Sequence, residues 1–230
     1  MQIVIEMLTE SSYFGVALTI AAFSVGAAIQ NRWKKAVLNP ILTGAALTML
    51  ILSVLDIPVE SYKQDCQVLT YMLTPATICL AISCYEQLQK LKDHIPAILV
   101  GVAGGTVASL ASVGLMAKLF GLSQALTVSL LPKSVTSAIG VVLCEQAGGI
   151  GALTTAVIIV TGIFGNIAGP MLIKLFHLED PISQGVAFGT SAHVVGTSRA
   201  MEISPLAGAV SSLSLTLAGL ITSALFSFLV

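Results

Sequence analysis

Long apolar runs dominate the chain, and polar residues are confined to short stretches between them. Seven of these runs approach or exceed the roughly 20 mostly apolar residues that a membrane-spanning helix needs. They are residues 13–29, 36–55, 68–85, 95–120, 125–144, 152–176 and 206–230. Because backbone groups inside lipid must form hydrogen bonds within their own segment, each run is predicted to be a helix.

An eighth stretch, residues 182–200, contains many Gly, Ser and Thr residues together with His193 and Arg199. Lipid is an unfavourable neighbour for such a sequence, so we expect a span or half-span buried against other helices. The pattern therefore predicts an all-α, polytopic transmembrane helix bundle with seven or eight membrane segments. Since no polar linker divides the chain, we expect one integral membrane domain over residues 1–230.

Prolines are expected to break two of the apolar runs. Pro132 lacks an amide hydrogen and opposes regular helix geometry. A fainter copy of the same pattern surrounds Pro75, and aligning the two prolines places Thr77 opposite Ser134. Paired proline-interrupted helices often meet at the substrate site of a transporter, where half-helix N-termini favour an anion. Broken or re-entrant helices are therefore predicted near both prolines, with chance similarity as the competing explanation for the pairing.

Small residues recur at residues 162–170 and 208–219. Such helices pack closely, and Ser or Thr side chains can form hydrogen bonds across the contact. Asn39 and Asn166 are interpreted as further polar groups that join helices within the membrane.

Composition excludes several classes of protein. Only 9% of residues are charged and 56% are hydrophobic, whereas a typical soluble chain has about 25% charged residues. The net charge of −1 gives no basic surface for nucleic acid. Enzyme, metal and cofactor motifs do not occur in the sequence. We therefore expect a multi-pass membrane protein that is not an enzyme and needs no metal or cofactor, and a membrane enzyme is only a remote alternative.

The first polar cluster consists of Lys133, Ser134, Thr136 and Ser137, which directly follow Pro132. A lysine inside an apolar run is costly and by default marks a functional site. The alternative is an interfacial lysine whose charge reaches the lipid headgroups. The polar residues that follow Lys133 favour a binding role.

The second polar cluster lies within residues 189–205 and contains His193, Thr197, Ser198, Arg199 and Glu202. Arg199 offers a fork of donors that suits a carboxylate, or else anchors the helix with Glu202 as its i,i+3 partner. His193 titrates near neutrality when unperturbed and is interpreted as a proton relay, with a packing role as the alternative. Glu145 is either a proton-exchanging carboxylate or a helix-end acid.

Several segments together resemble the LrgB/CidB family of membrane proteins. In the second half they are LLPKSVTSAI (130–139), GGIGALTTAVIIVTGIFGNIAGP (148–170) and the run from DPISQG to LAGLIT (180–222). In the first half, NPILTG (39–44) and LTPATICLAISCYEQL (73–88) are also similar. The resemblance covers nearly the whole chain from residue 13 onward.

The resemblance implies two classes of function. Members are described as antiholin-like regulators of murein hydrolase activity and autolysis that act with a small holin-like LrgA-type partner. Relatives also include the plastidal glycolate/glycerate translocator, and bacterial LrgA/LrgB-like pairs are associated with pyruvate uptake. The embedded cationic residues favour a transporter, or transporter subunit, for small monocarboxylates or hydroxycarboxylates such as pyruvate, glycolate or glycerate. The antiholin-like regulator is the alternative, and the glycine-rich faces also suggest a homo-oligomer.

In the transporter hypothesis each polar residue has an assigned role. Lys133 and Arg199 counter the charge of the carboxylate. The hydroxyl groups that bind its oxygens belong to Thr77, Ser134, Thr136, Ser137 and Thr197. His193 lies at the same site, and His193 or Glu145 carries a coupled proton.

Overall fold

The computed structural model describes residues 13–33 and 40–229, and every regular element in these ranges is a helix, which confirms the all-α prediction. In chain order the helices are α1 (Phe14–Trp33), α2 (Pro40–Val54), α3 (Val59–Asp65), α4 (Gln67–Tyr71), α5 (Leu73–Glu86), α6 (Leu88–Lys92), α7 (Ile95–Leu119), α8 (Gln124–Leu130), α9 (Ser137–Gln146), α10 (Gly151–Leu175), α11 (Pro181–Ile203) and α12 (Pro205–Leu229). The chain divides into two compact units, Met1–Cys79 and Leu80–Val230. The single integral domain expected from the sequence stays a prediction.

Within the first unit, α1 and α2 pack against each other through glycines. A Cβ added at Gly44 would lie 3.3 Å from the backbone of Phe23. At the start of α1, the amide of Gly15 donates a hydrogen bond to Asp65 of α3 over 3.3 Å. That contact satisfies one of the amides that a helix N-terminus leaves without an intrahelical acceptor.

The second unit is organised around α11 and α12, which form a helical hairpin that turns at Ser204. Glycines on α11 allow the close approach, since a Cβ added at Gly185 would lie 2.6 Å from the carbonyl oxygen of Ala207. The core beside them joins Ile98 and Val102 of α7 to Val210 of α12. Small residues thus bring backbones together where soluble proteins use large side chains.

The glycine-rich stretch of α10 packs against α11, as its composition predicts. Gly162 faces the ring of His193, Gly165 faces Ala192, and Gly169 faces the ring of Phe188. Asn166 donates a hydrogen bond across this contact to the carbonyl oxygen of Val195 over 3.2 Å. Asn39, the other polar residue expected to join helices, lies outside the described residues.

Four described helices are long and apolar enough to cross a membrane, namely α1, α7, α10 and α12. The shorter helices α2 and α9 are also apolar. Two of the predicted runs are divided, residues 68–85 between α4 and α5 and residues 125–144 between α8 and α9. Because these breaks shorten the helices, the count of seven or eight segments is not confirmed and remains a prediction.

The two proline-containing segments differ from each other. Residues 131–136 separate α8 from α9, so the predicted interruption at Pro132 is present. Near Pro75 the interruption falls at Met72, whose φ of −70° and ψ of −12° are close to helical values. Pro75 itself lies in the first turn of α5, where its missing amide hydrogen removes no intrahelical bond. The strong break therefore belongs to Pro132.

Candidate functional site

The break between α8 and α9 places Lys133 beside α7. Its ammonium donates hydrogen bonds to Ser109 over 3.0 Å and to Ser134 over 3.1 Å. The two serine hydroxyl oxygens are 3.1 Å apart. Pro132 and Val135 are buried on either side and fix this non-helical segment. The lysine is therefore held by packing and by two neutral hydroxyls.

Lys133 has no acidic partner among the residues that the structure describes. The ion pairs within those ranges join Lys63 to Glu60 and Arg199 to Glu202. An ammonium has three N–H donors, so one remains available after the two serine contacts. A half-buried cation without a counter-charge favours an anion as its neighbour.

A cavity adjoins this cluster within the second unit. Its polar lining consists of Thr106 and Ser109 from α7, Ser134 from the break, Thr190 from α11 and Thr222 from α12. About 220 Å³ of space free of protein atoms lies within it, counted out to its mouth. Its interior is narrow, with room for about one water molecule. Lys133 reaches the cavity through the two serines that both bind its ammonium and line the wall.

The hydroxyls of Thr106 and Thr190 have no hydrogen-bond partner in the described part of the chain. Thr106 is 4% exposed and Thr190 is 6% exposed. Buried hydroxyls in proteins are nearly always hydrogen-bonded, because an unpaired one costs about 1–3 kcal/mol. The cavity therefore has two polar groups that the described part of the protein leaves without a hydrogen bond.

Helix α11 is broken in its middle at His193. Its φ of 44° and ψ of −136° lie in a region that side-chain-bearing residues rarely adopt, and Ala192 is also non-helical. The imidazole Nε2 lies 2.9 Å from the carbonyl oxygen of Ile158, and the ring packs over Gly162. Sequence patterns did not predict this break because neither proline nor glycine stands at the kink.

The break in α11 divides the second polar cluster between structural and surface positions. Thr197 donates to the carbonyl oxygen of His193 over 3.0 Å and lies 2.8 Å from the hydroxyl of Ser211. Arg199 forms an i,i+3 ion pair with Glu202. The sequence offered this pairing as the alternative to carboxylate binding by Arg199. His193, Thr197 and Arg199 do not line the cavity, whereas Thr190, three residues before His193, does.

The remaining predicted site residues lie at several places. Thr136 and Ser137 stand at the start of α9, next to the lysine cluster but outside the cavity lining. Glu145 is exposed near the end of α9, with its carboxylate beside Gly151. Thr77 belongs to α5, and its side chain is outside the described part of the structure. Of the predicted site residues, Ser134 lines the cavity, and Lys133 reaches it through Ser109 and Ser134.

Sequence reasoning overlooked Thr106, Ser109, Thr190 and Thr222. Thr106 and Ser109 are three positions apart in an apolar run, which places them on one face of α7. Such i,i+3 hydroxyl pairs are a usable signal, but membrane helices also use them for packing. Only the fold shows that this pair faces the break after α8.

Comparisons with known proteins identify the family. The model of the LrgB-like family matches residues 19–230. This chain is an LrgB-like family member. It is 36% identical over 212 residues to "Uncharacterized protein YwbG" of Bacillus subtilis, covering 92% of this chain and 94% of that relative.

Two further LrgB-like relatives have names that state a function. "Holin-like protein CidB" of Staphylococcus aureus strain Mu50 is 30% identical over 215 residues, covering 94% of both chains. "Antiholin-like protein LrgB" of Bacillus mycoides is 31% identical over 215 residues, covering 93% of this chain and 94% of the relative. No solved structure matches the chain. The family resemblance found in the sequence is thereby confirmed.

Proposed function

We propose that this LrgB-like protein is a holin- or antiholin-like protein of the bacterial plasma membrane, acting with a small LrgA-type partner to regulate murein hydrolase activity and autolysis. The names of the CidB and LrgB relatives carry this proposal, because they match nearly the full length of the chain. Sequence reasoning ranked this function second, and the relatives' names favour it over the transporter.

We also propose a second function, carriage of small monocarboxylates such as pyruvate, glycolate or glycerate. One observation supports it: the ammonium of Lys133 is bound by Ser109 and Ser134 beside a cavity, with no acidic partner in the described residues. Structural packing alone does not require a costly intramembrane cation at this place. A carboxylate entering the cavity supplies the missing negative charge.

The two functions are compatible with one architecture. A count of seven or eight membrane segments requires that α2, α11 and the divided helices cross the membrane in addition to the four long helices. A site at the break between α8 and α9 then lies inside the helical unit, where a bound anion is shielded from water. In the carrier hypothesis Arg199, Thr197 and His193 act only if the kinked α11 moves, and Glu145 acts only if α9 moves, since all four lie outside the cavity lining.

Uptake into proteoliposomes tests the carrier function. Labelled pyruvate, glycolate and glycerate are supplied to vesicles that contain the protein alone or with an LrgA-type partner, with and without a pH gradient. Lys133→Met is expected to abolish saturable uptake, because it removes the cation and keeps a similar length. Lys118→Met is the matched control, since Lys118 is an exposed lysine in the last turn of α7.

Autolysis in cells tests the holin- or antiholin-like function. Deletion or overexpression is expected to change the rate of detergent-induced lysis and the activity of murein hydrolases. If uptake is absent in every vesicle while lysis responds, the carrier hypothesis is wrong. If lysis is unaffected while uptake depends on Lys133, the regulatory hypothesis is wrong.

A further inference from the structure

Two threonine hydroxyls of the cavity have no partner among the residues that the structure describes, although both side chains are more than nine-tenths buried. Four buried side-chain atoms lack partners in the described residues: the hydroxyls of Thr106, Thr190 and Ser214, and one amide oxygen of Gln184. Of these, only Thr106 and Thr190 line the cavity beside the lysine cluster. Unused polar groups in one cavity indicate a missing ligand more specifically than scattered ones do.

The surroundings of each threonine show how its hydroxyl is left available. Thr190 turns its methyl group towards α7, since a Cβ added at Gly105 would lie 2.9 Å from that methyl carbon. The Thr190 hydroxyl is on the same Cβ and therefore points in a different direction from this methyl group. Thr106 lies one helical turn before Ser109, so α7 supplies both an unused hydroxyl and a hydroxyl that binds Lys133.

We propose that Thr106 and Thr190 are ligand-binding residues that donate hydrogen bonds to the carboxylate of a small monocarboxylate, which enters the narrow cavity beside Lys133 while the remaining atoms of the ligand lie towards its mouth. The inference rests on the proposed carrier function and assigns two residues to its site. The lysine supplies the opposite charge, and the threonines orient the anion by binding its oxygens. A hydroxyl donates as readily as it accepts, and beside an anion both threonines donate.

The proposal distinguishes ligand binding from structural support. A hydroxyl that holds helices together stabilises the empty protein, so its loss lowers stability. A hydroxyl without a protein partner contributes nothing of this kind, and its removal leaves the empty protein equally stable or more stable. Binding residues thus show weakened binding together with undiminished stability.

Valine is the test substitution because it keeps the branched shape of threonine and removes only the hydroxyl. Thr106→Val and Thr190→Val are compared with Thr154→Val, a buried threonine of α10 whose hydroxyl donates to the carbonyl oxygen of Ser129 over 2.9 Å. Full-length purified protein is titrated with pyruvate by calorimetry. Thermal unfolding is recorded separately without pyruvate.

Each cavity variant is expected to raise the pyruvate Kd about tenfold or more, as the loss of one hydrogen bond to a charged group predicts. Both are expected to unfold at or above the wild-type temperature. Thr154→Val is expected to unfold at a lower temperature and to keep the wild-type Kd.

Two results overturn the inference, and they differ in what else they overturn. If wild-type protein binds pyruvate through Lys133 and both threonine variants keep its Kd, only the threonine assignment is wrong. If wild-type protein binds no pyruvate, with or without an LrgA-type partner, the carrier function fails and the assignment fails with it.

Discussion

Single residues in this protein are held in positions that their own chemistry disfavours. Lys133 carries a charge in an apolar segment, and His193 adopts a backbone conformation suited to glycine. Strained or uncompensated residues persist only where the surroundings fix them, and they concentrate at functional sites. At His193 the surroundings are Gly162 and the carbonyl of Ile158.

Backbone strain at His193 predicts an unusual order of stability for two substitutions. His193→Ala and His193→Gly both remove the ring and its contact with Ile158, so this loss is the same in the two variants and does not affect the difference between them. Glycine in a helix is normally about 1 kcal/mol less favourable than alanine. Here His193→Gly is expected to be more stable than His193→Ala by about 1–2 kcal/mol, because glycine alone relieves the positive φ. Denaturant unfolding in detergent measures both, and a more stable alanine variant would show that the kink is not strained.

Helices in the second unit are positioned by glycines rather than by large side chains. Gly185 and Gly189 lie one turn apart on α11 and face α12. Their spacing matches the small-xxx-small pattern by which membrane helices approach closely. The polar groups of the cavity depend on this approach, since Thr190 follows Gly189 directly.

Enlarging Gly189 tests this packing. A Cβ at Gly189 would lie 2.8 Å from the Cβ of Ser214 and would also contact the carbonyl of Ser211. Gly189→Ala is therefore expected to destabilise the protein by about 1–3 kcal/mol through overpacking. The control is Gly104→Ala in α7, where an added Cβ would meet no described atom within 4 Å beyond the adjoining backbone of its own helix. This variant is expected to stabilise the protein by about 0.5–1 kcal/mol. Equal thermal shifts for both variants would contradict the role of Gly189.

The N-terminus of α11 makes stability depend on pH. Burial raises the pKa of Asp180, but hydrogen bonds from Ser183 outweigh it and hold the pKa below its ordinary value of 3.8. The carboxylate is the cap of α11, accepting from the Ser183 amide over 2.9 Å. Because the pKa is lower in the folded state, this stabilisation is full above the unfolded value and is lost as pH falls through the folded value.

Asp180→Asn separates this effect from other titrations, since asparagine keeps a capping oxygen and does not ionise. The unfolding temperature of the wild type is expected to fall more steeply than that of the variant between about pH 5 and 3. Identical slopes in the two proteins would mean that another carboxylate controls acid sensitivity.

At the scale of the whole molecule, the second unit contains both polar breaks and the cavity. α7, the α8–α9 break, α11 and α12 all contribute to the wall, so a bound anion connects four parts of one fold. A ligand that binds only the folded state stabilises all of it, by about 2.7 kcal/mol at a hundredfold excess over Kd.

Carboxylate binding is therefore expected to raise the unfolding temperature of the whole protein. Pyruvate should raise it for the wild type and for Lys118→Met, with a shift that grows with concentration. Lys133→Met should show no shift because the opposite charge is gone. A similar shift in Lys133→Met would indicate that pyruvate acts elsewhere, for example as a general solute.

The sequence by itself determined the helical class, the membrane environment and the break at Pro132, and it singled out Lys133 as a candidate site residue. These follow from composition and from proline chemistry, which act locally along the chain. The close approach of α10 to α11 was also predictable, because small residues are a direct requirement of short interhelical distances.

Tertiary structure alone decided which polar residues meet. Thr106 and Ser109 belong to an ordinary apolar helix, and only packing brings them to Ser134 and Thr190. The kink at His193 has no proline or glycine at its position in the sequence, and its contacts with Gly162 and Ile158 come from another helix. The sequence predicted Arg199 and Thr197 at the same site as Lys133, yet Glu202 and Ser211 occupy their polar groups. Local chemistry sets what each segment is, whereas long-range contacts set which side chains remain free to bind.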